Sequence, residues 1–226
     1  MASISVCLIA QDVGPLLPRF LANVGPVADE IVAVDGGSRD ETAGILAAHP
    51  KVRLFDRPFD AHGPQRNFAF DRAEGDWILS VDSDELLGDR LRQVVPRLVR
   101  LPCLSYVKVP RYWVAEVGPL RHVKAPLLYP DAQLRLFRNR PCFRYLARPR
   151  VHEEMPARGL GRGLRLRRAH IFHLAFLLAG REERERKVKG YLARDPSTSR
   201  ITSQYLYEDL AHTLEPCAER CGELEP

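Results

Sequence analysis

The chain has 226 residues, 45% hydrophobic and 28% charged, and its 34 Lys and Arg exceed its 29 Asp and Glu to give a net charge of +5. This is the composition of an ordinary globular protein, so it excludes a disordered chain and allows one large domain. No stretch approaches the ~20 apolar residues that a membrane-spanning helix needs, and five cysteines without CxxC spacing argue against a disulfide framework or a zinc site. Because residues 1–10 lack the basic start of a signal peptide, we expect a cytoplasmic protein.

The first ninety residues alternate between strand-like and helix-like segments. Apolar runs rich in β-branched residues predict buried strands at 4–10, 30–34, 52–55 and 77–81. Helices are predicted at 16–24, from apolar residues at helical spacing, at 39–48, from acidic residues near the helix start, and at 65–73, from a proline that suits the first turn. This order predicts an α/β fold with a Rossmann-like, mostly parallel sheet flanked by helices, which binds ligands at the carboxyl ends of its strands.

The pattern becomes irregular after a helix predicted at 91–101. Strands are predicted at 105–111, 133–138 and 164–168, and two closing helices at 181–193 and 201–214. Since no repeat or low-complexity linker interrupts the chain, we expect one continuous domain. Its N-terminal half, residues 1–102, has the pattern of a nucleotide-binding unit, and its half at 103–226 is a more basic extension.

Acidic residues follow the fourth predicted strand directly, in the run Asp82-Ser83-Asp84-Glu85. Carboxylates this close repel each other unless a positive charge lies between them, and Mg²⁺ or Mn²⁺ takes such oxygen ligands together with substrate phosphates. The alternative is that they cap the next helix, which Asp and Glu also do. Their position after the fourth strand of this pattern favours the metal.

Two further segments lie at the same edge of the predicted sheet. In Asp35-Gly36-Gly37-Ser38 the glycines allow close backbone approach, and Asp35 can accept hydrogen bonds from a nucleobase or ribose. The same residues also form a tight strand-to-helix turn, and both roles are compatible. At Gln65-Arg66-Asn67 a helix start, a guanidinium and two amides can face a nucleotide, although alone this segment reads as a solvated helix start.

Taken in order, these motifs resemble the family 2 glycosyltransferases, which have the GT-A fold and a DxD metal motif. The matching stretches are ISVCLIAQDV, ADEIVAVDGGSRDETAGI and GPQRNFAFDRAEGDWILSVDSDE. Downstream, YPDAQLRLFRN followed by VHE, and a late HIFHLAF and KVKGY, are similar to the branch that contains the lipopolysaccharide-core β-glucosyltransferases. The resemblance runs from about residue 4 to 191, and it covers none of the last thirty or so residues.

The resemblance implies transfer of a sugar, with inversion, from a nucleotide-diphosphate donor to a hydroxyl of a cell-envelope glycan or lipid-linked acceptor. Inversion needs a general base, for which we prefer Glu153, after the RLFRN strand, over Asp131. A divalent cation, Mn²⁺ or Mg²⁺, is assigned to Asp84, Asp82 and His152. Arg135 and Arg138 lie on opposite faces of a strand, and Arg135 is chosen for the site.

The residues assigned to the donor are Ala10, Asp35, Gln65, Arg66, Asn67, Asp82, Ser83 and Arg135.

Remaining features fit this hypothesis or weigh against its rivals. His170 and His173 read better as buried structural histidines than as ligands. Eight arginines between 144 and 168 suit an anionic acceptor or a peripheral contact with the inner face of a membrane.

Two other classes of protein fit the sequence less well. A nucleotidyltransferase would carry a basic, Gly-rich loop after the first strand, whereas residues 10–15 hold no basic residue. A nucleic-acid-binding module is the least favoured class, because residues 155–171 lack aromatic side chains to accompany the arginines.

Overall fold

The computed structural model describes residues 2–126, 128–146, 155, 161–194, 203–209 and 211–224. Its first half alternates strands and helices as predicted, and each strand begins at the predicted residue. The elements are β1 (Ile4–Ala10), α1 (Leu17–Val24), β2 (Glu30–Asp35), α2 (Thr42–Ala48), β3 (Val52–Asp56), α3 (His62–Phe70) and β4 (Trp77–Ser80). The α/β class is confirmed.

The chain after β4 is richer in strands than the sequence predicted. It contains β5 (Glu85–Leu87), α4 (Asp89–Leu98), β6 (Tyr106–Val117), β7 (Leu120–Lys124), β8 (Asp131–Arg138), β9 (Gly163–Arg165), β10 (Ile171–His173), α5 (Ala175–Leu178), α6 (Arg181–Arg194) and β11 (Thr213–Pro216). The helix predicted at 201–214 is wrong where the structure describes it. A 3-10 segment (Ser203–Asp209) is followed there by β11, which pairs with β7 and so satisfies its backbone groups without a helix.

One sheet connects the two halves. Strands β3, β2, β1 and β4 are parallel neighbours, and β8 then pairs antiparallel with β4 and with β6. The parallel pairing brings the ends of β1, β2 and β4 to one edge of the sheet, with Ala10 opposite Asp35. Since Leu136 of β8 pairs with Leu79 of β4, Arg135 lies next to the end of β4, where the acidic run begins.

The central strands are buried on both faces, which explains their continuous apolar runs. Alternate residues of β1 divide between two clusters: Val6 and Leu8 pack with α1 and α4, whereas Cys7 packs with Phe70 of α3 and Phe137 of β8. This alternation follows from the two-residue period of a strand. Within the residues that the structure describes, no helix is long and apolar enough to cross a lipid bilayer.

Candidate active site

A cleft of about 810 Å³ opens at the carboxyl edge of the parallel strands. Its floor comes from the end of β1, the start of α3, the loop after β4 and the inner face of β8, and its far wall comes from α5, α6 and the 3-10 segment 203–209. The volume lies within the range of small-molecule sites. The sheet edge that the sequence predicted as the ligand site is therefore the edge that carries the cleft.

Asp82 is the first acid after β4, and two arginines bind it. The Arg66 Nη2 atom lies 2.7 Å from one carboxylate oxygen, and the Arg135 Nη2 atom lies 3.1 Å from the other. Burial by itself would raise the pKa of Asp82, but the charges of Arg66 and Arg135 outweigh it and hold the pKa well below its usual range. Asp82 is therefore an ionised carboxylate whose negative charge is balanced by Arg66 and Arg135.

The ion pairs continue inward from Asp82. Glu85 is fully buried, and it accepts hydrogen bonds from Arg135 at 2.5 Å and from Arg111 at 2.9 Å. Arg111 in turn binds Asp131 through its Nε atom at 2.9 Å. Three arginines and three carboxylates thus alternate along the floor of the cleft. We call this set the floor network; its members are Arg66, Asp82, Arg135, Glu85, Arg111 and Asp131.

Asp84 is bound very differently from Asp82. Within the part of the chain that the structure describes, its carboxylate has one polar side-chain partner, His173, whose Nε2 atom lies 3.3 Å from Oδ2. The pairing of β10 with β5 and β6 positions His173 here, and the Leu174 amide donates to the Asp84 carbonyl at 2.9 Å. Burial favours a higher pKa for Asp84, but the neighbouring His173 outweighs it and lowers the pKa.

The pair of Asp84 and His173 has the donor set of a divalent-cation site. Carboxylate oxygen and neutral imidazole nitrogen both bind Mn²⁺, and most lone pairs of Asp84 are unused, whereas those of Asp82 face arginines. No group of three or more His, Cys, Asp or Glu side chains suited to a metal occurs among the described residues. The two residues therefore fit a cation that takes its remaining ligands from substrate and water.

The predicted donor-binding residues divide into two groups in the structure. Ala10, Gln65, Arg66, Asp82, Ser83 and Arg135 all line the cleft. Arg138 points away, as expected of the opposite strand face, and donates to the carbonyl of Leu104 at 2.9 Å. Gln65 is held in turn by Arg57, because its amide donates to the Arg57 carbonyl at 2.8 Å.

Asp35 and Asn67 instead hold local backbone and do not line the cleft. The Asp35 carboxylate accepts the amides of Gly37 at 3.2 Å and Ser38 at 2.9 Å, which closes the turn after β2. The Asn67 side chain clamps the backbone of Tyr145, donating to its carbonyl at 3.0 Å and accepting its amide at 2.9 Å. Their assignment to the donor remains a prediction.

Of the two predicted bases, the structure describes Asp131; Glu153 and the predicted metal ligand His152 lie outside the described residues. Asp131 lines the cleft and accepts hydrogen bonds from Arg111, Trp113 and Gln133. Burial pushes the pKa of Asp131 up, but Arg111 outweighs it, so the pKa is lowered. A carboxylate with three donors is ionised at neutral pH and correspondingly weak as a base.

Several cleft residues were not assigned to the site from the sequence. His173 had been read as structural, and it is buried like His170, but His170 binds Glu219 at 2.9 Å away from the cleft. Arg111, Tyr145, Lys187 and Tyr205 also line the cleft. The late KVKGY motif was a partial signal, since it contains Lys187 and Tyr191.

Solved structures of other proteins share this fold. The mannosyltransferase PcManGT from Pyrobaculum calidifontis, solved with GDP-Man and Mn²⁺, superposes with a TM-score of 0.61 over 93% of this chain and 70% of that chain at 17% identity. TarS residues 1–349 from S. aureus superpose with a TM-score of 0.52 over 92% of this chain and 72% of that chain at 16% identity. The sheet and its cleft thus define a GT-A glycosyltransferase fold.

The sequence profile of glycosyl transferase family 2 matches residues 5–168, and the chain belongs to that family. A TPR repeat-containing protein of Synechococcus elongatus is 34% identical over 146 residues, 64% of this chain and 34% of that protein. The lipopolysaccharide core biosynthesis glycosyltransferase LpsC of Rhizobium meliloti is 32% identical over 74 residues, 31% of this chain and 27% of that protein. The match thus spans about a third of these curated relatives.

Proposed function

We propose that this chain transfers a sugar, with inversion, from a nucleotide-diphosphate donor to a hydroxyl of a cell-envelope glycan or lipid-linked acceptor, and that it needs a divalent cation. The observation that carries the proposal is the pairing of Asp84 with His173 beside the arginine-bound Asp82. Asp84 and His173 would hold the cation. A cation bound there supplies a Lewis acid that neutralises charge on the departing diphosphate.

The similar structures support the donor class. PcManGT was solved with GDP-Man and Mn²⁺, and TarS was also solved with UDP. In this chain the corresponding ligand would lie along the edge formed by Ala10, Gln65 and Arg66. Arg66 and Arg135 hold Asp82 in place, so that this edge keeps its shape whether or not the donor is present.

A general base must take the proton of the acceptor hydroxyl in a direct displacement. Glu153 remains the preferred prediction, because the donors on Asp131 stabilise its ionised form and weaken it as a base. Asp131 instead suits the role of orienting the acceptor at the cleft floor. Under this proposal, Glu153→Gln abolishes transfer but keeps donor binding.

Two observations support the acceptor class. LpsC, the relative from Rhizobium meliloti, is described as acting in lipopolysaccharide core biosynthesis. Four arginines are exposed on and beside β9: Arg162, Arg165, Arg167 and Arg168. Such residues suit an anionic glycolipid or the inner face of a membrane, to which each adds ~1 kcal/mol near the surface. Cosedimentation with anionic but not with neutral vesicles would support this contact, and equal binding to both would contradict it.

The decisive experiment measures the thermal stability of the protein with UDP-, GDP-, dTDP- and ADP-linked sugars, with and without Mn²⁺. We expect one donor to raise the melting temperature only with Mn²⁺, because a ligand that binds the folded state stabilises it. Asp84→Asn and His173→Gln should each remove this dependence on Mn²⁺. Asp71→Asn, at an exposed carboxylate beside Arg144, is the control and should behave as wild type. If none of the four nucleotide sugars raised the melting temperature, with or without Mn²⁺, the proposal would be refuted.

A further inference from the structure

The positive charges of the cleft are nearly all neutralised within the protein. Arg66, Arg111 and Arg135 belong to the floor network, in which each binds at least one carboxylate. Arg184 of α6 also lines the cleft, and it binds Glu208 and the Tyr205 carbonyl. The diphosphate of a nucleotide sugar carries one negative charge on each phosphate, and guanidinium groups already paired with carboxylates add no net charge to balance it.

Lys187 is different. It is exposed on the face of α6 that lines the cleft, and no carboxylate in the described part of the chain lies within ion-pair distance of its ammonium. The Nζ atom lies 4.8 Å from the ring centre of Tyr205 and 5.9 Å from that of Tyr191. Among the described residues, Lys187 thus faces the cleft without a carboxylate in ion-pair contact.

The two tyrosines determine where this ammonium can go. A cation over an aromatic ring is attracted by the ring face but keeps its hydrogen-bond donors available to a ligand. Tyr205 comes from the 3-10 segment and packs edge-on against Trp113 at 5.6 Å, and its ring lies 5.9 Å from that of Tyr191. Lys187 is therefore held at the cleft wall by residues that do not neutralise it.

We infer that Lys187 binds the diphosphate of the donor, and that the Tyr191 and Tyr205 rings position it for this contact. These residues lie after residue 168, outside the region that the family profile matches, so the segment following that region completes the donor site. The inference rests on the proposed function. It assigns to α6 the one Lys or Arg side chain lining the cleft, among the described residues, that has no carboxylate partner and can add its charge to that of the metal ion.

The test uses isothermal titration of the full chain with UDP, GDP, dTDP and ADP in the presence of Mn²⁺, and then with the monophosphate of whichever base binds. We expect Lys187→Met to weaken the diphosphate about tenfold, or ~1.4 kcal/mol, and the monophosphate less than about twofold. Lys187→Arg should restore most of the affinity. Lys189→Met is the matched control, because Lys189 is exposed on the same helix but does not line the cleft.

The possible failures can be told apart. If the wild type binds none of the four diphosphates, the proposed function is refuted, and this inference with it. If the wild type binds one of them and Lys187→Met binds it within about twofold of wild type, the inference alone is refuted. Equal losses for the diphosphate and the monophosphate, or equal losses for Lys187→Met and Lys189→Met, would also overturn it. Circular dichroism of each variant checks that α6 is intact.

Discussion

The arginines that bind the carboxylates at the floor of the cleft come from three separate elements. Arg66 comes from α3, Arg111 from β6 and Arg135 from β8, and between them they bind Asp82, Glu85 and Asp131. Burial lowers the pKa of Arg135, but Glu85 and Asp82 outweigh it and raise the pKa above its usual value. Every charge in the floor network therefore depends on its neighbours, since an unpaired charge in this position is costly.

Glu85→Gln tests this dependence. The substitution keeps the shape of the side chain but removes the only fully buried charge of the floor network, leaving Arg111 and Arg135 undercompensated. We expect the free energy of unfolding, measured with urea, to fall by about 3 kcal/mol. Glu215→Gln removes an exposed partner of Lys124 and should cost less than about 1 kcal/mol. Equal stability of Glu85→Gln and wild type would contradict the argument.

Glu30, at the other end of the parallel strands, makes a contribution to the stability of the fold that depends on pH. It accepts hydrogen bonds from Ser5 at 2.5 Å and Arg53 at 2.7 Å. Burial would raise the pKa of Glu30, but these bonds outweigh it and lower the pKa below the ordinary 4.5. A lowered pKa means that the stabilisation is present above the unfolded-state value and is lost as pH falls through the folded-state value.

We therefore expect Glu30→Gln to be less stable than wild type by about 1 kcal/mol at neutral pH, with the difference shrinking below pH 4.5. Urea unfolding of both proteins at several pH values between neutrality and strong acid measures this. A difference that stays constant, or grows, as the pH falls would show that Glu30 does not contribute through its charge.

At the scale of secondary-structure elements, the C-terminal segment 211–224 packs along the sheet as a strand and a loop rather than continuing as a helix. Strand β11 pairs with β7, and Glu219 beyond it is buried against the start of α4. Its carboxylate accepts the amide of Leu91 at 3.1 Å and both the amide and Nδ1 of His170, at 2.8 and 2.9 Å. His170 is thus a structural residue, and Glu219 joins three elements that are distant in sequence.

Glu219→Ala should destabilise the protein by about 3 kcal/mol, because it leaves buried amide and imidazole donors without an acceptor. The melting temperature and the urea midpoint should both fall. Glu215→Ala, at a partly exposed position of β11, is the matched control and should change stability by less than about 1 kcal/mol. If the two variants were equally stable, the hydrogen bonds of Glu219 would not contribute to the stability of the fold.

At the scale of the whole molecule, the boundary predicted near residue 102 falls within a single sheet. Trp77, Ile78 and Leu79 of β4 pair with Arg138, Phe137 and Leu136 of β8. The N-terminal half therefore contributes strands β1 to β5, while the far edge of β4 is covered by a strand from the second half. Removing that strand would expose the backbone groups of β4 as well as the apolar core beside it.

A fragment ending at residue 102 consequently should not fold on its own. We expect it to lack a cooperative urea transition and to be digested rapidly by a protease, whereas the full chain should unfold in one step. Circular dichroism and limited proteolysis of the two proteins make the comparison. A cooperative transition in the fragment would show instead two separable domains.

The sequence by itself determined the α/β order, the strands β1 to β4 and the acidic run after β4. These features depend on local apolar periodicity and on turn residues, which are readable over a few positions. Strand alternation allowed only one of Arg135 and Arg138 to face the site, and the structure shows that Arg135 lines the cleft. The family assignment follows from the same ordered motifs.

Only the tertiary structure decided which side chains meet. His173 lies in the HIFHLAF motif, but the three-residue strand that carries it is held by pairing with β5 and β6, so the local sequence does not specify that it reaches Asp84. Asn67 is used by the backbone of Tyr145, 78 residues away, and Lys187 reaches the cleft from beyond the family region. The physical reason is common to all of them: a local pattern specifies an element, whereas the register and packing of distant elements specify a site.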